Sequence, residues 1–330
     1  MLPAVLRSNE RLPVLNPEDR WIWDFWHVRD GNVHHLFYLQ APKSLGDPEL
    51  RHRNATIGHA TSSDLTTWTE HGTVLSAGDP GEIDATATWT GSVIRADDGL
   101  WHMYYTAAIF PFPENPNNIE TIGLAVSDDL YQWRKVPSFA IRADPTWYER
   151  LSDSVWPEEA WRDPWVYRAA DGEWNMLLTA RSNSSDVLER GVVGLATSGD
   201  LVAWTVQAPL TLPGAGFAHL EVLQLVTIDS RDYLLFSAHA AVISDERKRA
   251  GAETGTWIAP IRGGIRLDEA VNLTGPDLYS ARVIDVDGTA MLLAFHIPLN
   301  DGPFAGGICD PIPVLVIDGL PTLADRVAAG

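Results

Sequence analysis

The chain has 330 residues and a formal net charge of −20, from 24 Lys and Arg against 44 Asp and Glu. This balance argues against nucleic acid or an anionic membrane as a partner, because both select for basic patches, and it favours a neutral ligand. No run approaches the roughly 18 apolar residues of a membrane span, and the start of the chain lacks the pattern of an export signal. We therefore expect a cytoplasmic protein without membrane contact.

Short apolar runs and turns repeat along the chain. Runs rich in Val, Ile, Tyr, Trp and Thr are separated by Asp-Gly dipeptides at 30–31, 98–99, 171–172 and 287–288, as antiparallel hairpins require. The segments IGHATSSDLTTW, IGLAVSDDLYQW and VGLATSGDLVAW recur, and their final tryptophans are separated by 65 and 71 residues. Self-similarity at a nearly fixed spacing is the signature of a repeat architecture.

The repeats predict an all-β fold, a single five-bladed β-propeller of four-stranded antiparallel blades that occupies residues 1–330. The blades are expected to begin near residues 21, 87, 160, 218 and 276. Because the blades are arranged radially, equivalent positions on their first strands converge on the central channel.

One position of the repeat is acidic in three blades. Asp24, Asp163 and Glu221 each stand 17 residues before an alanine that closes an apolar run. The same count back from the ends of the corresponding runs reaches Thr90 and Tyr279 in the other two blades. We therefore expect three carboxylates at one equivalent position, meeting at one end of the channel.

Converging carboxylates suit glycoside cleavage. That reaction uses one protonated carboxyl group to assist the leaving oxygen and one ionised group to attack the anomeric carbon or to activate water. Like charges a few ångströms apart in a partly desolvated pocket keep one carboxyl protonated near neutral pH. A third carboxylate can hold sugar hydroxyls, and the 14 tryptophans offer flat apolar area for sugar faces. Taken singly, Asp163 could instead cap a turn and Glu221 could lie on the surface.

Five motifs follow one another in the sequence: HLFYLQAP (35–42), GHATSSDLTTW (58–68), WTGSV (89–93), WRDPWV (161–166) and LEVLQL (220–225). In this order they resemble the motifs of glycoside hydrolase family 32, the β-fructofuranosidases, inulinases and levanases, which form clan J with the family 68 levansucrases. The resemblance covers roughly residues 20 to 230.

The resemblance implies a retaining double displacement on furanosides. It assigns Asp24 as the nucleophile, Asp163 as the stabiliser of the transition state, and Glu221 as the general acid/base. Arg162 would grip sugar hydroxyls.

Five more residues are expected to bind substrate. Gln40, Trp89 and Thr90 match substrate-contacting positions of the family motifs. Trp23 flanks the first acid, and His219 lies two residues from Glu221 on what we expect to be the same strand face.

The chain also departs from the family pattern. Where family 32 usually has Asn-Asp-Pro-Asn-Gly around its nucleophile, this chain has Trp23-Asp24-Phe25-Trp26, which is closer to family 68. The Cys-Pro that commonly follows the acid is replaced by Val222-Leu223. Family members typically carry a C-terminal β-sandwich as well, so we expect a divergent relative that consists of the propeller alone.

Three alternatives to a retaining hydrolase stay open at this point. An inverting furanosidase of the family 43 type would hold its carboxyl groups about 6.5–9.5 Å apart, against about 5–5.5 Å for a retaining enzyme. A sugar-binding propeller without catalysis is the second alternative. Transfer to another sugar could also replace hydrolysis.

The expected partner is a small carbohydrate, without an organic cofactor. The histidines show no cysteine partner and no helical i,i+4 pairing, so we expect no metal site. Cys309, the only cysteine, excludes an intrachain disulfide. No pattern in the sequence indicates an oligomeric state.

Overall fold

The computed structural model describes residues 13–153, 156–298 and 302–327. Blade 1 consists of β1 (Arg20–Asp30), β2 (Val33–Pro42), β3 (Thr56–Ser62) and β4 (Thr69–Leu75). Blade 2 consists of β5 (Ala87–Arg95), β6 (Trp101–Ile109), β7 (Asn118–Ser127) and β8 (Arg134–Lys135), with β9 (Glu158–Glu159) added in parallel to β7. Blade 3 consists of β10 (Trp161–Arg168), β11 (Trp174–Arg181), β12 (Gly191–Ser198) and β13 (Thr205–Gln207).

Blade 4 consists of β14 (Glu221–Ile228), β15 (Arg231–Ala238), β16 (Gly255–Pro260) and β17 (Val271–Asn272). Blade 5 consists of β18 (Leu278–Val286), β19 (Thr289–His296), β20 (Ile312–Ile317) and β21 (Leu320–Leu323). Two α-helices, α1 (Asp245–Arg249) and α2 (Ala324–Val327), and 3₁₀ turns at 43–45, 48–54, 151–153, 187–189, 240–242 and 267–269 complete the described elements. Neither α-helix is long and apolar enough to cross a membrane.

The five sheets form a closed ring. Within each sheet the four blade strands are hydrogen-bonded in chain order. The first strands β1, β5, β10, β14 and β18 each contact the first strands of both neighbouring blades. This arrangement confirms the predicted five-bladed β-propeller.

The hairpins between the first and second strands follow the predicted turn chemistry. Gly31 has a φ of 57°, and the pair Asp287 and Gly288 has φ values of 50° and 85°. In blade 4 the same left-handed turn is made by Asp229 and Ser230, at φ values of 49° and 60°. Such turns match the right-handed twist of the flanking strands.

The recurring Asp-Leu-x-x-Trp segment is a structural turn between the third and fourth strands. In blade 1 the Asp64 carboxylate accepts hydrogen bonds from the backbone N–H groups of Thr66 and Thr67, at 2.8 and 2.7 Å. The Trp68 indole donates to the carbonyl of Leu65, which has a φ of 62°. Blades 2 and 3 repeat these contacts. The Asp-Leu-x-x-Trp segment therefore marks the blade repeat and has no part in the candidate active site.

The first strand of each blade contains a β-bulge near its start, and the bulges show which residues of the five strands are structurally equivalent. The ladder breaks on either side of Asp24 in blade 1 and of Thr90 in blade 2. In blades 3, 4 and 5 the break begins at Asp163, Val222 and Ser280, which have φ values of 56°, 55° and 48°. A bulge leaves its residue unpaired and re-aims the side chain.

The expectation that all three acids share one position was therefore wrong for Glu221. Glu221 is the last paired residue before its bulge, opposite Ser237, as Arg162 is opposite Thr179 and Tyr279 is opposite Phe295. The reason is that the closing alanine has no fixed place in the ladder. Ala41 lies two residues beyond Leu39, the partner of Trp23, whereas Ala238 lies only one residue beyond the partner of Glu221, so the same count reaches the bulge residue in blade 1 and the last paired residue in blade 4. Asp24 and Asp163 do occupy equivalent bulge positions.

The ring closes between blade 5 and the segment that precedes blade 1. Val14 donates its N–H to the carbonyl of Ile308 at 2.8 Å, and Ile308 donates to Leu15 at 2.9 Å. Gly307 donates to the carbonyl of Ile22 in β1 at 3.0 Å. The segment before β1 and the segment before β20 therefore join blade 5 to blade 1, and each described blade takes its four strands in chain order.

Candidate active site

All five blades contribute to one cavity of about 120 Å³ at the start of the first strands. Each blade supplies the last paired residue of its first strand and the bulge residue that follows it. These pairs are Trp23 and Asp24, Trp89 and Thr90, Arg162 and Asp163, Glu221 and Val222, and Tyr279 and Ser280. Leu39, His52 and Glu158 complete the lining. A larger cleft of about 480 Å³ between blades 3 and 4 has mainly apolar walls and lacks a pair of carboxylates, so the chemistry belongs to the axial cavity.

Asp24 receives hydrogen bonds from the bulge residues of the two neighbouring blades. The Ser280 hydroxyl donates to Oδ1 at 2.5 Å, and the Thr90 hydroxyl donates to Oδ2 at 3.4 Å. Burial, followed by the negative charges of Asp163 and Glu221, raises the pKa of Asp24 to about 7. The unliganded site therefore holds a proton on Asp24 in weakly acidic solution.

Asp163 is fixed by blades 2, 3 and 4. Its backbone N–H donates to the Thr106 hydroxyl at 3.0 Å. Its Oδ2 atom accepts from the Thr179 hydroxyl at 2.8 Å and from the N–H of Val222 at 3.0 Å. Burial raises the pKa of Asp163, against the lowering effect of Arg162 and of these two hydrogen bonds. The contacts that the described residues make to this carboxylate, including the Arg162 Nε atom at 3.6 Å, all use Oδ2, so Oδ1 is left for a ligand.

Glu221 is held by Arg162 and Tyr279. Arg162 Nη2 donates to Glu221 Oε1 at 2.7 Å, and the Tyr279 hydroxyl donates to Oε2. Burial acts to raise the pKa of Glu221, but the charge of Arg162 and the hydrogen bonds from Tyr279 and Arg162 outweigh it, so the pKa lies below its ordinary value. The free site therefore favours an ionised Glu221.

Arg162 is oriented by two further carboxylates. Its Nη1 atom lies 3.0 Å from Glu120 Oε1 and 3.3 Å from Glu158 Oε2. Glu120 also accepts the backbone N–H of Trp161 at 2.8 Å, so one fully buried carboxylate fixes both the start of β10 and the arginine side chain. Burial raises the pKa of Glu120 to about 8, against the opposing charge of Arg162.

His219 lies behind Arg162 and outside the cavity lining. Its Nδ1 atom lies 3.2 Å from Arg162 Nη2, and its Nε2 atom lies 3.1 Å from Glu158 Oε1. Burial, together with the charge of Arg162, lowers the pKa of His219 well below its ordinary value. In a neutral ring with its proton on Nε2, Nδ1 accepts from Arg162 and the Nε2–H lies near the Glu158 carboxylate. The geometry thus gives His219 a supporting contact to Arg162.

Gln40, like His219, was predicted to bind substrate but does not line the axial cavity. Its amide nitrogen donates to the hydroxyls of Thr73 and Thr56, at 2.8 and 3.4 Å, within blade 1. Successive side chains of a strand point to opposite faces, and in β2 it is Leu39 that reaches the cavity. Trp23, Trp89 and Thr90 do line it.

Sequence reasoning missed several residues that shape the site. The register count reaches Tyr279 but does not indicate a role for a residue that is not acidic, and Ser280 follows it directly. Glu120 stands alone as an acid in the apolar run of β7, which is itself a signal because an isolated glutamate is almost never fully buried unless it is paired. Glu158 comes from β9, a two-residue strand that no pattern indicated.

Arg282 lies next to the acids and is fully buried. Its Nε atom donates to the carbonyl of Phe25 at 3.2 Å, and its Nη1 atom donates to the carbonyls of Val222 and Leu223, so it joins blades 1, 4 and 5. Burial lowers its pKa to about 10, although Asp163 and Asp24 act in the opposite direction. Arg282 supplies positive charge next to the crowded carboxylates. In the described part of the chain, no group of three His, Cys, Asp or Glu side chains is arranged to hold a metal ion.

Comparison with known proteins places this arrangement in a family. The model of the glycosyl hydrolases family 32 N-terminal domain matches residues 15–283, which contain all three acids. The chain belongs to glycosyl hydrolase family 32. Among curated relatives, a fructan 6-exohydrolase of Beta vulgaris is 28% identical over 179 residues, which are 52% of this chain and 26% of that protein. A raffinose invertase of Escherichia coli is 25% identical over 305 residues, which are 87% of this chain and 58% of that protein.

Solved structures share the fold of this family 32 chain. An inulosucrase from Halalkalicoccus jeotgali bound to kestose has a TM-score of 0.71 at 24% identity, over 97% of this chain and 92% of that one. A mutant β-fructofuranosidase of Bombyx mori in complex with sucrose has a TM-score of 0.72 at 20% identity, over 95% of this chain and 64% of that one. A levansucrase of Bacillus subtilis has a TM-score of 0.69 at 13% identity, over 97% and 89%.

Proposed function

We propose that this family 32 chain hydrolyses β-fructofuranosides by a retaining double displacement with Asp24 as the nucleophile. One observation carries the proposal: Asp24, Asp163 and Glu221 converge with Arg162 on a single cavity at the propeller axis. The curated relatives, a fructan exohydrolase and a raffinose invertase, support a fructosyl substrate.

In the first step, the Asp24 carboxylate attacks the anomeric carbon while Glu221 gives its proton to the leaving oxygen. The glycosidic bond breaks and a fructosyl ester forms on Asp24. In the second step, Glu221 takes a proton from water, the resulting oxygen attacks the anomeric carbon, and the Asp24 carboxylate leaves. The two inversions give a product with the configuration of the substrate.

The neighbouring residues stabilise the charge that develops during these steps. Asp163 presents Oδ1 to the sugar hydroxyls and, as a negative charge, favours an oxocarbenium-like transition state. Arg162 is charged and pre-oriented by Glu120, so it binds hydroxyls without further ordering. Serine and threonine donors on Asp24 stabilise it as the leaving carboxylate of the second step.

The resting protonation state differs from the reactive one. In the free site the proton favours Asp24, whereas the first step needs it on Glu221. The acids titrate as a coupled set, so the reactive form is the minor arrangement of the singly protonated site. Sugar hydroxyls that engage Arg162 weaken its hold on Glu221 and so favour the transfer of the proton to Glu221.

Support for a short separation between the two reacting carboxylates comes from their donors. Tyr279 donates to Glu221, and the next residue, Ser280, donates to Asp24. Two consecutive residues of β18, the last paired residue and the first bulge residue, thus hold both acids against the same space, which favours direct attack over attack by an intervening water.

The test is fructose release from sucrose, inulin, levan and difructose anhydrides, with aryl arabinofuranosides included for the rival furanosidases. Wild type is compared with Asp24→Asn and Glu221→Gln, and Asp186→Asn is the control because Asp186 is exposed and does not line the axial cavity. We expect wild type and Asp186→Asn to release fructose and both cavity variants to lose activity by about 10³-fold or more. Arabinose release, or sugar binding without any turnover, would contradict the proposal.

A further inference from the structure

A second cavity of about 490 Å³ opens directly onto the axial one. The two cavities share Trp23, Asp24, His52, Glu221 and Tyr279. Asp163 and Arg162 line the axial cavity alone. The outer cavity therefore meets the two acids that act on the scissile bond but not the groups assigned to the fructosyl hydroxyls. The outer cavity is therefore where the leaving group, the part of the substrate attached to the fructosyl residue, would lie.

Aromatic rings in edge-to-face contact form one wall of this outer cavity. Phe304 lies 6.3 Å from Trp23 and 6.0 Å from Phe295, and Phe295 lies 5.8 Å from Tyr279, between ring centroids. The Arg51 guanidinium lies 4.0 Å from the centre of the Phe304 ring and 5.7 Å from that of Trp23. Stacking of this kind holds a cation in a defined orientation.

Arg51 is positioned by its own 3₁₀ turn. Its Nη1 atom donates to the carbonyl of Pro48 and to Glu49 Oε1, both at 2.9 Å. Its side chain is only 12% exposed. The hydrogen bonds that Arg51 makes to described residues use Nη1. Nη2 of the same planar guanidinium is therefore left for a ligand.

The charges around Arg51 decide what kind of ligand it binds. Glu49, Asp24 and Glu221 all line the same cavity, so a phosphate or carboxylate would meet three acidic side chains for one arginine. Neutral sugar hydroxyls accept from a guanidinium without that repulsion. Phe304 and Trp23 add the apolar surface on which sugar rings pack.

We infer that Arg51, held by Phe304 and Glu49, forms the subsite that binds the neutral sugar leaving group, and that it discriminates between substrates by that group. The inference rests on the proposed function for the identity of the fructosyl side. None of the family motifs contains Arg51, which lies between HLFYLQAP and GHATSSDLTTW.

The decisive experiment separates the two halves of the substrate. Binding of sucrose and of fructose is measured by calorimetry in a Glu221→Gln background, with Arg51 intact or changed to Met. Arg53→Met is the matched control, because Arg53 belongs to the same turn and stacks on Phe110 at 4.2 Å, away from the outer cavity.

We expect Arg51→Met to weaken sucrose binding by about 10-fold or more and to change fructose binding by less than about twofold. Arg53→Met should change neither. Three results would overturn the subsite: an equal loss of affinity for both sugars in Arg51→Met, an unchanged affinity for sucrose in that variant, or no sucrose binding when Arg51 is intact. Tighter binding of glucose 1-phosphate than of glucose would overturn the neutral class of ligand.

Turnover is measured in parallel with Glu221 intact. A wild type that releases no fructose from any β-fructofuranoside contradicts the proposed function, whereas the binding series decides the subsite without turnover. If wild type releases fructose but Arg51→Met leaves sucrose binding unchanged or weakens the binding of both sugars equally, the subsite alone is contradicted.

Discussion

Arg162 Nη2 lies 2.7 Å from Glu221 Oε1, and this ion pair sets the protonation of the whole site. It helps to hold the pKa of Glu221 below its ordinary value, while burial and the remaining acids raise that of Asp24. The order of the two pKa values follows from which acid the arginine touches.

The hydrogen bond from Tyr279 to Glu221 gives the first prediction. Tyr279→Phe removes a donor that stabilises the ionised carboxylate, so the pKa of Glu221 should rise. We expect the acid limb of the pH profile of kcat/KM to move up by roughly one unit, since a hydrogen bond to a charged group contributes about 1.5–3 kcal/mol. Tyr105→Phe is the control, because that hydroxyl donates to Asp84, outside the axial cavity. An unmoved acid limb would show that Tyr279 does not tune the acid.

A second prediction concerns stability. The pKa of Asp24 is raised from 3.8 to about 7 in the folded chain, so the folded state binds more protons than the unfolded state within that window. Its contribution to stability is present at low pH and is lost as pH rises through 7. Asp24→Asn should therefore raise Tm relative to wild type at pH 8 more than at pH 4, measured by calorimetry. The Asp186→Asn control should show no such dependence, and a Tm gain for Asp24→Asn that is larger at pH 4 would contradict the assignment.

Much of the fold was predictable because the repeated turns depend on interactions between residues that are close in sequence. Turn residues such as Gly31 and the Asp64 turn depend on nearby neighbours only, so their pattern is visible in the sequence. The bulge is different, since Val222 and Ser280 have positive φ without being glycine and are supported by contacts with other blades. A count of residues in the sequence therefore does not reveal where each bulge lies.

The candidate site was predictable where motifs carry it and not where it is built by long-range contacts. Asp24, Asp163, Glu221 and Arg162 meet as expected. Glu120 reaches Arg162 from the third strand of another blade, 42 residues away, so no local spacing relates them. Gln40 was misplaced because the alternation of β2 sends Leu39 into the cavity instead.

The third prediction tests Glu120 as a positioning residue for Arg162. Glu120→Gln keeps the shape but turns an amide N–H toward either the Trp161 N–H or Arg162, so the arginine loses its fixed direction. We expect kcat/KM to fall by about 10- to 100-fold and its pH profile to shift, because Arg162 then interacts differently with Glu221.

Glu149→Gln is the matched control for that variant. Glu149 is also buried and paired with arginines, Arg181 and Arg190, but it lies outside the axial cavity. It should lower Tm and leave the pH profile in place. If both variants lowered kcat/KM equally with unshifted profiles, Glu120 would have only a structural role.

The fourth prediction arises from a histidine cluster between blades 1 and 2. His35 Nδ1 lies 3.0 Å from His59 Nε2, and His59 stacks on Phe37 with ring centroids 4.6 Å apart. Burial, followed by the charges of the neighbouring histidines, lowers the pKa of His59 from 6.5 to about 3. Below pH 6.5 the unfolded chain therefore binds more protons, and stability falls as the solution is acidified.

His59→Phe preserves the stacked ring and removes this proton linkage. We expect its Tm to fall less than that of wild type between pH 7 and pH 5, measured by circular dichroism. His239→Phe, at an exposed position, should leave the wild-type slope unchanged. An identical slope for His59→Phe and wild type would show that the cluster does not cause acid lability.

The most direct test of the account is to trap the sugar on Asp24. Glu221→Gln protein is mixed with an aryl β-fructofuranoside whose leaving group needs no acid, so that formation of the ester proceeds while its hydrolysis, deprived of a base, is slow. Mass spectrometry of the intact protein and its peptides should then find one fructosyl unit, carried by the peptide that contains Asp24. An unmodified protein that releases product of inverted configuration would contradict the double displacement.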